Sequence, residues 1–161
     1  MMRRPALLLL CSLALIAVPA MARDSLGVFE RWAAFRDPQV PRCYAIAAAQ
    51  ERASEGSASV ATWPARRVRG QVHFRLSRAI APGSAVSVAI GRERFTLTAS
   101  ARNAWATDAA GDAAIIAAMR GASVMQVRAR DRDGRVFTDS YPLAGVATAV
   151  DAADIGCRST G

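Results

Sequence analysis

The sequence predicts a mainly β domain, an antiparallel β-sandwich or partly open barrel with two short helices near residues 108–120 and 142–154. Three observations carry that expectation. Short apolar or alternating runs recur between turn-forming clusters, about seven of them strand-like. They do not alternate with helices in the way a parallel α/β sheet requires. Helical periodicity with capping residues shows in only two places, both in the C-terminal third. There is no internal repeat.

The first 22 residues are expected to be a secretory signal. Arg3 and Arg4 precede an apolar run over residues 6–18, and Ala20-Met21-Ala22 fits the small-x-small cleavage pattern. Cleavage is expected between Ala22 and Arg23, leaving residues 23–161 as one domain. The alternative is an uncleaved anchor, but the run falls short of the roughly 20 apolar residues that span a bilayer. No later stretch is apolar and long enough to cross one, so the mature chain is expected to have no transmembrane span.

Within the mature chain, VFERWAAFR (28–36) reads as the first strand and DPQVP (37–41) as a turn with two prolines. RCYAIAAA (42–49) reads as the second strand, and the small polar stretch QERASEGSAS (50–59) as a loop. RGQVHFRLS (69–77) alternates cleanly: Val72, Phe74 and Leu76 point one way, Gln71, His73 and Arg75 the other. APGS (81–84) is a turn, and AVSVAIG (85–91) and RFTLTAS (94–100) are two strands joined tightly. Thr107 or Asp108 can cap the helix that follows. Asp112 suits its N-terminal end, Arg120 its C-terminal end, and Gly121 stops it. Ile115 and Met119, one turn apart, are expected in the core. Residues 123–141 read as a hairpin turning at Asp133-Gly134.

The last helix places Leu143, Val146, Val150, Ala153 and Cys157 on one stripe, so Cys157 faces the core. Loss of Cys11 with the signal leaves Cys43 and Cys157. Two cysteines in an exported chain suggest one disulfide; the alternative is a pair of reduced, buried thiols. A bridge would close a loop of over 100 residues, which the disputed chain-entropy account values at about 4–5 kcal/mol.

The net charge of +8 comes with arginine as the basic residue throughout and no lysine. An abundance of Arg and Ala suggests a GC-rich bacterial genome. The positive balance suits an anionic envelope surface, although general solvated charge explains it more simply. The densest basic run, Arg66, Arg67 and Arg69, lacks neighbouring aromatic stacking platforms, and export argues against nucleic acid as a partner.

Catalytic patterns are sparse. His73 is the only histidine, and no serine sits in a G-x-S-x-G elbow. Asp151 and Asp154, i and i+3 on the last helix, offer paired carboxylates. One histidine and two cysteines make a zinc site unexpected. DRDG (131–134) opens like a calcium loop but lacks the later ligands, so it reads as a turn. No cofactor or metal is expected. Trp32, Trp63 and Trp105 could line a sugar or peptide site; Trp32 and Trp105 read more readily as core anchors, and Trp63, in a loop-like stretch beside Pro64, fits either role.

Taken together, CYAIA (43–47), GSAVSVAIGRERFTL (83–97), AWATDAAGDAAIIAAMRG (104–121) and TDSYPLAGVATAVDAADIGC (138–157) resemble the invasion-associated locus B family of exported bacterial proteins, in its short two-cysteine form. The resemblance implies a β-rich exported domain, periplasmic or secreted, in a Gram-negative bacterium. It implies a Cys43–Cys157 bridge and no enzymatic activity. Longer members carry further cysteines that this chain lacks. The expected function is a non-enzymatic cell-envelope protein acting through protein or surface binding. The alternative is a small envelope hydrolase built around His73 or the Asp151/Asp154 pair.

Overall fold

The computed structural model describes residues 23–51 and 55–158. Among them are ten antiparallel strands in one sheet: β1 (Asp24–Phe29), β2 (Trp32–Asp37), β3 (Arg42–Ala48), β4 (Ser57–Trp63), β5 (Val68–Arg75), β6 (Val86–Ile90), β7 (Glu93–Ser100), β8 (Asn103–Trp105), β9 (Val124–Arg130) and β10 (Val136–Pro142). Helix α1 spans Ala109–Gly121 and α2 spans Val146–Arg158. The strand order is β1-β2-β3-β4-β5-β8-β7-β6-β9-β10. The mainly β architecture with two helices is the one expected. The signal segment and the Ala22 side of its cleavage point lie outside the described residues.

The sheet turns a corner within β7. The part of β7 up to Leu97 pairs with β6, and the part from Thr98 pairs with β8. The two ends of the sheet are drawn together by hydrogen bonds. Trp32 Nε1 donates to the Pro142 carbonyl at 2.9 Å, and the Gln50 amide donates to the Ser140 carbonyl at 2.8 Å. The result is a partly open barrel whose interior holds Trp32, Phe74, Leu76, Ile115, Met119, Met125 and Tyr141.

Three strand regions differ from the sequence expectation. Residues 28–36 are a hairpin and not one strand: Phe29 pairs with Trp32 across a two-residue turn in which Glu30 has φ +54°. The turn carries no glycine or asparagine to announce it, and it sends Trp32 inward. The expected loop at residues 50–59 becomes strand at Ser57. This strand is built on small residues because α2 lies over it: Ala58 and Val60 face inward. The three-residue β8 is too short for periodicity to register.

β8 ends early for a visible reason. It covers only His73–Arg75 of β5. Where it stops, the Val72 amide donates instead to Asp112 Oδ1 at 2.8 Å, so the first turn of α1 takes over the edge. Burial raises the Asp112 pKa, partly offset by that bond. Asp108 caps the helix by accepting from the Gly111 amide at 2.7 Å, and Ile115 and Met119 enter the core together.

α2 starts four residues later than expected, because Pro142 completes β10. Gly145 turns the chain with φ +86°, and a Cβ there would overlap the Phe29 carbonyl. The helix lies across β1–β4. Val146, Ala149 and Ala153 are buried and Val150 partly so, which shifts the apolar stripe slightly round the helix. Cys157 is bonded to Cys43 with Cα atoms 5.6 Å apart, inside a small cluster with Ala34 and Ala153.

Two stability predictions follow from the interior. Met119→Asp buries an unpaired carboxylate and is expected to cost about 4 kcal/mol or more, whereas Arg120→Gln removes an exposed ion pair with Asp151 worth at most about 1 kcal/mol; urea unfolding of both variants measures the contrast. The Tyr141 hydroxyl is buried without a protein partner among the described residues, and burial holds its phenol well above the usual range. Tyr141→Phe removes that orphan group and should raise stability by about 1 kcal/mol in the same assay.

Candidate functional site

Strand parity divides β2–β5 into two faces. Inward residues pack under α2; outward ones form a surface of aromatic, arginine and amide side chains. The register aligns Ile46, Ser59, His73 and Trp105 in one row across β3, β4, β5 and β8. The next row holds Phe35, Tyr44, Ala61 and Gln71. Small Ser59 and Ala61 form the floor of a groove of about 380 Å³, with Arg42 and Trp63 at one end and His73 and Trp105 at the other.

Neighbouring groups hold the aromatic end in place. The Arg42 guanidinium lies 4.6 Å from the Tyr44 ring centroid and 5.2 Å from that of Trp63. Arg66 approaches the Trp63 ring to 4.7 Å. Trp63 Nε1 donates to Gln71 Oε1 at 3.1 Å, and Phe35 and Tyr44 continue the aromatic surface with centroids 5.7 Å apart. Such an assembly offers π faces, guanidinium donors and a side-chain amide to whatever enters the groove.

His73 is part of this surface. Its Nε2 lies 3.1 Å from Asn103 Oδ1, an amide, and Ser59 Oγ donates to the His73 main-chain carbonyl at 3.4 Å. Asp151 and Asp154 sit on the other side of the sheet. They border a cleft of about 420 Å³ between the helices, floored by Val60, Gly70, Ile116 and Val150. Asp154 pairs with Arg69 at 2.7 Å and with Arg158 at 2.8 Å, and Asp151 pairs with Arg120. The Arg120 hydrogen bond holds the Asp151 carboxyl below its usual range, the opposite of what a general acid needs. The structure therefore separates His73 from the Asp151/Asp154 pair.

The tryptophans divide differently from expectation. Trp32 is fully buried, as a core anchor would be. Trp105 is not: β8 turns it outward, half-exposed, into the groove. Arg42, Tyr44 and Gln71 escaped sequence analysis, although their outward parity beside Trp63 was the available signal. The Asp131–Gly134 segment is a turn built around Asp131. Its buried carboxylate accepts from the Asp133 and Arg135 amides at 3.0 and 2.9 Å and from Arg78 at 3.2 Å.

No protein-family model and no curated protein matches this chain. Among solved structures it is similar to the crystal structure of invasion associated protein b from Bartonella henselae, with a TM-score of 0.62 at 12% identity, over 82% of this chain and 97% of that one. The likeness is one of fold.

Asp131 couples the stability of the fold to pH. Burial acts to raise its pKa, but the Arg135 and Asp133 amides and the Arg78 and Arg135 guanidiniums outweigh it and the value is lowered. A lowered folded value gives stabilisation that is complete above the unfolded carboxylate range near 4 and is lost as pH falls through the folded one. Asp131→Asn should therefore lower Tm at pH 7, and the gap to the unsubstituted protein should narrow in melts below about pH 4.

Proposed function

We propose that this protein is a non-enzymatic binding protein of the cell envelope, working outside the cytoplasm, and that it recognises a protein partner through the groove between Arg42 and Trp105. The observation that carries the reading is the composition of that groove. Trp, Tyr and Arg dominate the energetic centres of protein interfaces, and here the Arg42 guanidinium lies over both the Tyr44 and the Trp63 rings beside a floor of small residues. The Cys43–Cys157 bridge suits an oxidising compartment. Recognition without bond cleavage agrees with the His73 ring facing the Asn103 amide in place of a carboxylate.

Capture from an envelope extract with the oxidised protein tests the proposal when Trp63→Ala and Arg42→Ala are run beside it. The expected result is a partner retained by the unsubstituted protein and bound at least about 30-fold more weakly by Trp63→Ala, the loss typical of an interface centre. Identical capture by all three proteins would place recognition elsewhere. Hydrolysis of an ester or glycoside that disappears in His73→Ala would overturn the non-enzymatic reading.

A further inference from the structure

The other half of the sheet carries a second outward surface of different chemistry. On β6, β7, β9 and β10 the register sets Arg94 opposite Ala89, Ser87 opposite Arg128, and Arg130 opposite Val136. Arg94 leans across β6 so that Nη1 comes within 3.5 Å of Ser87 Oγ, the residue paired with Arg128. The two side chains thus form a common wall between two shallow recesses of about 290 and 270 Å³. One recess is edged by Gln126, Thr138 and Ser140, the other by Ser87 and Arg130.

The charge on this face is not neutralised. Arg36, Arg69, Arg102 and Arg120 are each paired with a carboxylate elsewhere on the molecule. Among the described residues no ion pair reaches Arg94, Arg128 or Arg130; Arg130 donates to the Gly134 carbonyl at 3.0 Å. Glu51 borders one recess, the single acid in either lining. Exposed arginines held together without counter-charges repel one another, and an anion relieves that repulsion.

We infer that this face binds an anionic polysaccharide, a glycan chain carrying carboxylate or sulfate groups. Guanidinium pairs take such groups by charge-assisted hydrogen bonds. The hydroxyls and amide around the recesses supply donors and acceptors for sugar hydroxyls on both sides of the arginine wall. A flat bilayer surface cannot enter recesses behind that wall, which favours a chain over a lipid headgroup layer. The site is separate from the aromatic groove and does not depend on a protein partner there.

Binding of the oxidised protein to polygalacturonate, neutral dextran, anionic phospholipid vesicles and inorganic phosphate tests the assignment. The expected result is binding to polygalacturonate that weakens as salt rises, and none to dextran. The Arg94→Ser/Arg128→Ser variant should bind at least tenfold more weakly (the hydrogen-bonded charge contacts are worth that much), with Tm unchanged because both side chains are exposed. A charge-matched Arg31→Ser/Arg75→Ser control should bind as before. Equal loss in the control would reduce the effect to net charge and overturn the assignment. So would full binding by the Arg94/Arg128 variant, or binding to vesicles or phosphate without binding to polygalacturonate.

Discussion

The bond between Cys43 and Cys157 holds in place the helix that covers the inner face of β1–β4. It fastens the end of α2 to β3, across a sequence separation of 114 residues. Even with this much alanine, a helix of 13 residues has little stability of its own in water and takes its order from packing. Once α2 is held across β1–β4, the alternation of each strand follows: Ala34, Cys43, Ala45, Ala58 and Val60 turn under the helix, and their neighbours turn out. The small size of these inward residues fits the close approach of a helix backbone. At the other end of the helix, Trp32 bonds the Pro142 carbonyl and the Arg31 amide bonds the Ala144 carbonyl, so α2 enters at a fixed point.

Both candidate binding surfaces depend on that parity. The aromatic groove and the arginine wall lie on outward residues of one sheet, separated by the corner in β7. One presents π faces and guanidiniums already engaged with them. The other presents guanidiniums with no carboxylate partner among the described residues. The two surfaces therefore differ in chemistry, and the corner in β7 keeps them apart.

Much of the fold was legible because its signals are local. The alternation around Phe74, the capping aspartate and paired Ile115 and Met119 of α1, and the Asp133-Gly134 turn each sit within a few residues. The Glu30 turn was hidden because its left-handed residue is neither glycine nor asparagine. β4 was hidden because a helix-covered strand needs small side chains, which read as loop. The surfaces were hidden for a deeper reason. The groove draws on β3, β4, β5 and β8, and the wall on β6, β7 and β9, so register assembles what sequence keeps apart. The basic run at Arg66, Arg67 and Arg69 shows the converse: these neighbours in sequence disperse, with Arg66 stacked on Trp63 and Arg69 paired with Asp154.

Hydrogen exchange on the full chain, oxidised and then reduced under native conditions, tests the disulfide's role most directly. Reduction is expected to strip protection from the amides of α2 first, while those of β5 and β9 remain protected. Unchanged protection across α2 after reduction would contradict it, as would loss of the helix and the sheet in one step.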